Sequence, residues 1–160
     1  MSVEIGGVHW EAVGAGRLAL RGRPGKKLLA HVAATGCTRV VTLLSAREGG
    51  AEIGAVLHQQ GIAWTWIPLA NASSPTGEAA DAIIAALPTL SEGLDRGESI
   101  LIHCAAGIHR TGMVAYALLR WRGLDDAAAR AVLARLRPAT ANGMHDHHFA
   151  WGAAIRDAAR

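Results

Sequence analysis

The stretch His103-Cys-Ala-Ala-Gly-Ile-His-Arg-Thr-Gly112 follows directly on the apolar run Ser99-Ile-Leu-Ile102 and leads into Met113-Val-Ala-Tyr-Ala-Leu-Leu119. The apolar run reads as a buried strand and the segment from Thr111 onward as a helix. A small-residue loop between them gathers backbone N–H groups and the positive end of the helix at one point, a cradle for an anion. Cys104 sits in that cradle. A helix terminus and nearby cations favour the thiolate, the form that attacks. His103 precedes the thiol and is expected to support the thiolate, and Thr111 can donate a hydroxyl hydrogen bond to the sulfur. Arg110 offers a planar fork that matches two phosphate oxygens, which lysine cannot do. Ala105, Ala106, Gly107, Ile108 and His109 complete the phosphate-binding loop, with Gly107 free to take a positive φ.

HCAAGIHRTG matches the pattern HCxxGxxR(S/T)G, and on these residues the chain resembles the cysteine-dependent protein tyrosine and dual-specificity phosphatases. Gly16-Arg-Leu-Ala-Leu20 with Gly22-Arg-Pro24 is similar to the first strand and turn of small dual-specificity phosphatases. Arg135 and Arg137-Pro138 resemble the arginine–proline stretch after their signature helix, so the likeness runs over roughly residues 15–157. The resemblance implies a cysteinyl-phosphate mechanism on Cys104, with Arg110 and the loop amides holding the phosphoryl group and Thr111 assisting its release. It implies no cofactor and no metal.

Working outward, helix and strand signals alternate in the α/β manner. Strands are predicted at Val8–Trp10, Arg17–Leu20, Thr38–Leu44, Ala63–Ile67 and the run before Cys104. Helices are predicted over Lys27–Ala34, Ala51–Gln60, Thr76–Arg96, Thr111–Gly123, Asp125 or Asp126 to Arg137, and Met144–Ala158. Pro88 should kink or split the long third helix. Trp64 and Trp66 are expected to place one ring inward and one toward solvent. The expected architecture is a single α/β domain over residues 1–160. It has the three-layer protein tyrosine phosphatase-like form, a mostly parallel sheet flanked by helices, with the site at the carboxyl ends of the strands.

Pro68-Leu-Ala-Asn-Ala-Ser-Ser-Pro75 is similar to the acid loop of the cyclin-dependent-kinase-associated phosphatase branch. That likeness places an aspartic acid at the position held here by Asn71. Asparagine can hydrogen-bond to a leaving oxygen but cannot protonate it, and general acid catalysis is worth ~10²–10⁴ in rate. Asp146, in His145-Asp-His-His148, is the candidate substitute acid, and His109 is a further one. Glu78 and Asp81 read as helix residues facing solvent. His145 and His148 could share a helix face, but no ligands converge on them from a second element, so no metal is expected.

The composition bounds the rest. The chain has 160 residues, net charge +3 and two cysteines, Cys37 and Cys104. No apolar run reaches the ~18–20 residues of a membrane span, and the start lacks a signal-peptide pattern, so a cytoplasmic protein without membrane association is expected. Two unbridged thiols fit a reducing compartment, with Cys37 packed in the core. No basic run is interleaved with aromatics, which argues against nucleic acid. The densest basic patch, Arg21, Arg23, Lys26 and Lys27, reads as a solvated turn. The expected partner is a phosphorylated protein or small phosphate ester. Phosphotyrosine is the first expectation, with phosphoserine and phosphothreonine admitted by a shallow site. Two alternatives stay open: an inositol phosphate or pyrophosphate phosphatase, and a weakly active phosphate-binding pseudophosphatase.

Overall fold

A computed structural model describes residues 1–159, with side chains through residue 157. Its centre is a six-stranded sheet in the order β1-β2-β3-β6-β4-β5. The strands are β1 (Ser2–Ile5), β2 (Val8–Val13), β3 (Gly16–Arg21), β4 (Arg39–Thr42), β5 (Ala63–Trp66) and β6 (Ser99–His103). The first three form an antiparallel meander, and β3, β6, β4 and β5 run parallel. β6 is therefore an interior strand, paired on both sides, and all five of its residues are buried.

The alternation of side chains along each strand divides the core into two layers. Leu18, Leu20, Val41, Ile100 and Ile102 face one side, packed with the apolar faces of α3 (Gly77–Asp95), α4 (His109–Trp121), α5 (Asp126–Leu136) and α7 (Asp146–Ala159). Ala19, Val40 and Leu101 face the other, with Val32, Ile53 and Leu57 from the segment holding α1 (Lys26–Ala30) and α2 (Gly50–Gln59). Cys37 belongs to this second layer, and burial pushes its thiol up to about 12. The result is a three-layer α/β fold with helices on both faces of the sheet.

Local differences from the sequence reading have physical reasons. The helix predicted over 27–34 is two pieces, α1 and a 3₁₀ turn (Val32–Thr35), which Gly36 closes in the left-handed region. Pro88 does not split α3: Ile83, Leu87, Leu90 and Leu94 are all fully buried. Each such burial is worth ~1.5–3 kcal/mol, so together they outweigh the ~3 kcal/mol of an interior proline. Pro138 opens a short α6 (Pro138–Gly143) at its first turn, where its missing N–H costs nothing. Asp125 caps α5 by accepting the Ala128 N–H at 2.8 Å. Trp64 and Trp66, two apart on β5, share one face and stack at 5.5 Å, correcting the expectation of opposite orientations.

Candidate active site

The loop between β6 and α4 is fixed from outside by its carbonyls. Ala105 O accepts the Arg23 N–H at 2.9 Å, and Ala106 O and Gly107 O accept from the Arg137 guanidinium at 3.2 and 2.9 Å. Thr140 Oγ1 also donates to Gly107 O, at 2.5 Å. With the carbonyls held outward, amides of the loop are left to face its concave side. One of them is engaged there: Gly107 N–H donates to Cys104 Sγ at 3.2 Å. Gly107 has φ +72°, and a Cβ on it would collide with the backbone of Arg21. Only glycine fits that turn.

Cys104 is 3 % exposed at the base of the loop. Thr111 Oγ1 is buried without a hydrogen-bond partner, so the expected bond to the sulfur is not formed in this state. His103 is fully buried, and its Nε2 pairs with Thr42 Oγ1 at 2.8 Å, which also accepts the Trp64 indole N–H. Burial, and secondarily the charges of Arg23, Arg21 and Arg110, hold His103 down to about 4. It is therefore neutral at physiological pH and supplies no cation to the thiol, contrary to its expected thiolate-supporting role. Its Nδ1 lies 3.3 Å from Cys104 O, so it steadies the backbone instead.

Arg110 is 8 % exposed and is gripped by a residue that the sequence reading missed. Glu48 binds it through both oxygens, at 2.6 and 3.0 Å, and Leu69 O accepts a third N–H at 2.9 Å. Guanidinium carries five N–H donors, so two remain for phosphate oxygens. The hydrogen bond from Arg110 lowers Glu48 to about 2, helped by the N–H and hydroxyl of Ser45. The reciprocal bond raises Arg110, with Cys104 among the lesser causes. Arg23, exposed like Lys26 and Lys27 in the basic patch, also donates to Glu48 O, at 2.5 Å. The only sequence signal for Glu48 was an acid in the turn after the buried strand β4.

The segment carrying Asn71 lies beside the loop and is fastened at three points. Arg110 holds Leu69 O, His148 pairs with Ala72 O at 3.1 Å, and Trp151 donates to Pro75 O at 3.0 Å. Asn71 itself is exposed, with Oδ1 accepting the Ser73 N–H at 2.9 Å. No carboxylic acid among the described residues takes its place. Glu48 is ionised and bound to Arg110. Asp146 lies with Tyr116, Arg120, Asp126 and Arg130 along a groove between α4, α5 and α7 that includes no residue of the phosphate loop. His145, just before α7, and His148, on its first turn, lie against His109, whereas Asp146 lies on the groove lined by Tyr116 and Arg130. Asp146 is thereby corrected as the substitute acid.

The rings of His109, His145 and His148 cluster at 4.9–5.5 Å between centroids, with His109 stacked on His148. His109 Nε2 lies 3.0 Å from Gly143 O, so its ring is engaged with the end of α6. His148 is 1 % exposed; its Nδ1 accepts the His145 N–H at 3.0 Å while Nε2 pairs with Ala72 O. Both ring nitrogens thus have backbone partners, which leaves none for a metal.

Residues 10–155 match the model of the family described as PTP-SAK, Swiss Army Knife protein, DSP-PTPase phosphatase domain. No curated protein sequence matches the chain. Among solved structures, the kinase associated phosphatase (KAP), with its catalytic cysteine substituted by serine, superposes with TM-score 0.75 at 17 % identity, covering 98 % of this chain and 97 % of that one. PTPMT1 in complex with PI(5)P gives 0.72 at 12 % identity, covering 94 % and 96 %. The core catalytic domain of the PP-IP phosphatase SIW14 from S. cerevisiae gives 0.63 at 16 % identity, covering 89 % and 81 %. At these identities the likeness establishes the fold.

Proposed function

The chain belongs to the Swiss Army Knife DSP-PTPase phosphatase domain family, and on that premise we propose that it hydrolyses phosphomonoesters through a phosphocysteine on Cys104. The observation that carries the reading is the grouping of one thiol, a loop amide turned onto it and a buried arginine with two donors not taken by Glu48 or Leu69. Cys104 Sγ attacks phosphorus, the ester P–O bond breaks, and the departing oxygen takes the electron pair. Arg110 and the amides of residues 105–110 stabilise charge on the equatorial oxygens, which dominates catalysis in phosphoryl transfer. Water then attacks phosphorus, the S–P bond breaks, and phosphate leaves as the thiolate re-forms. The Thr111 hydroxyl, buried and without a partner, supports a role in donating to that thiolate.

With Asn71 at the acid position, the departing oxygen receives no proton from a carboxylic acid. Aryl phosphates, whose phenolates leave unaided, are therefore favoured over alkyl ones, which points to phosphotyrosine over phosphoserine or phosphothreonine. The same asparagine favours a second reading, a phosphate-binding module with little turnover.

Hydrolysis of para-nitrophenyl phosphate against pH, with mass-spectrometric trapping of the phosphoenzyme, tests the first reading. Turnover by the parent and none by Cys104→Ser, which should still bind phosphate, is the expected result. Hydrolysis persisting in that variant overturns the cysteine mechanism. Phosphate binding without turnover at any pH selects the binding module.

A further inference from the structure

One buried ring joins three segments of the chain. His148, on the first turn of α7, reaches Ala72 O through Nε2 at 3.1 Å, one residue past Asn71. Its Nδ1 accepts the His145 N–H at 3.0 Å, so the ring proton sits on Nε2 and the imidazole is neutral. Its face stacks at 4.9 Å on His109, the neighbour of Arg110 in the phosphate loop. The segment carrying Asn71 has two other fastenings, Leu69 O on Arg110 and Pro75 O on Trp151. Those use a guanidinium and an indole, donors that keep their protons across the physiological range. The middle fastening, the one beside Asn71, is the titratable one.

Its two bonds exist together in one protonation state only. A backbone N–H and a backbone carbonyl ask for one acceptor and one donor, which the neutral imidazole has and the cation lacks. The surroundings add to the penalty. His109 on α4, His145 before α7 and His147 on α7 crowd the ring, His147 at 4.0 Å, and each opposes a second positive charge. Asp146, between them in sequence, lies on the groove with Arg130, and Arg110 is paired with Glu48. Residues 69–76 and α6 carry no titratable side chain. Burial first, and then the three histidines, hold His148 below 6.5, against the bond to Ala72 O, which acts to raise it. The segment is therefore fastened at neutral pH and loosens as pH falls through that lowered value.

We infer that His148 is a positioning residue: its neutral ring holds Asn71 at the phosphate loop, and its protonation releases the segment and slows phosphoryl transfer. Asn71 is the side chain that would hydrogen-bond the departing oxygen, so release lowers kcat while Arg110 and the loop amides still bind phosphate. The effect on rate rests on the phosphomonoesterase reading; the release of the segment does not.

The test compares the full chain with His148→Gln and His148→Leu. Glutamine offers an N–H to Ala72 O and a carbonyl to the His145 N–H without titrating, whereas leucine offers neither; thermal melts establish that both variants fold. The first readout needs no substrate. The Trp151 indole N–H and the Ser73 amide, bonded to Pro75 O and Asn71 Oδ1, are followed by NMR between about pH 7.5 and 5. In the parent both resonances should move in step with titration of the His148 ring, and in His148→Gln they should stay. The second readout is kcat and KM for a phosphotyrosine peptide over the same range. The parent-to-glutamine ratio of kcat should fall roughly three- to tenfold toward the acid end, the worth of one hydrogen bond, with KM little changed. Ionisation of substrate and thiol cancels in that ratio. His148→Leu should show the reduced kcat already at neutral pH. Resonances indifferent to His148, or a flat ratio, overturn the inference. Resonances that follow His148 in a parent without turnover uphold the release and refute the phosphomonoesterase reading. Turnover with a flat ratio and still resonances does the reverse.

Discussion

Glu48 and Arg110 meet through two hydrogen bonds of 2.6 and 3.0 Å across 62 positions of sequence, tying the turn after β4 to the start of α4. The carboxylate fixes the fork's direction and leaves its remaining donors for the ligand. Glu48→Gln should keep the side chain's shape but weaken this grip, lowering kcat/KM roughly tenfold to a hundredfold. Inhibition by inorganic phosphate should weaken in parallel. Since the Glu48 pKa lies near 2, lowered from 4.5, its stabilisation is complete above 4.5 and is lost as pH falls toward 2. Parent activity between pH 5 and 8 should show no limb from this group.

Asn71→Asp restores a carboxyl on a segment already held at Leu69, Ala72 and Pro75. It should raise hydrolysis of phosphoserine relative to para-nitrophenyl phosphate, by up to ~10²–10⁴, and introduce a falling alkaline limb. An unchanged ratio would mean that leaving-group protonation does not limit the rate.

Gly107→Ala forces a side chain into φ +72° and against the backbone of Arg21. A rigid β3 cannot yield, so the loop must open. The expected cost is ~1–3 kcal/mol, with loss of phosphate binding, read by thermal melts with and without phosphate.

His103 and His148 are both buried and held below their ordinary value of 6.5, each first by burial. The folded state keeps them neutral while the unfolded state protonates them. Their stability contribution is therefore whole above pH 6.5 and is lost as pH falls, through about 4 for His103. Protonating His148 Nδ1 would also set it against the His145 N–H. Urea unfolding against pH should show this acid limb, and His148→Gln should flatten it. An identical limb in the variant would remove His148 from the account.

The legible parts were those governed by local chemistry. The strand–loop–helix joint around Cys104, a cap at Asp125 or Asp126 and the burial of β6 as a continuous apolar run follow from spacing and composition. What escaped depended on contacts between distant segments. Nothing near Glu48 in sequence reveals that Arg110 lies beside it, and nothing near Asp146 reveals that His145 and His148, rather than its carboxylate, meet His109. His103 failed for the same reason, because its neutrality comes from burial against β4.

Helix α4 is buried over the whole of Arg110–Leu119, so the phosphate loop is the free end of a rod embedded in the core. A rod of that kind cannot loosen alone; its opening coincides with global unfolding, and its amides should be among the slowest to exchange with solvent. Ligand held by the loop is then linked to the stability of the entire molecule. Phosphate, vanadate or a tight substrate analogue at a hundred times its Kd should raise unfolding free energy by about 2.7 kcal/mol. Melting temperature alone can thus rank candidate substrates on the intact protein, without any turnover being observed.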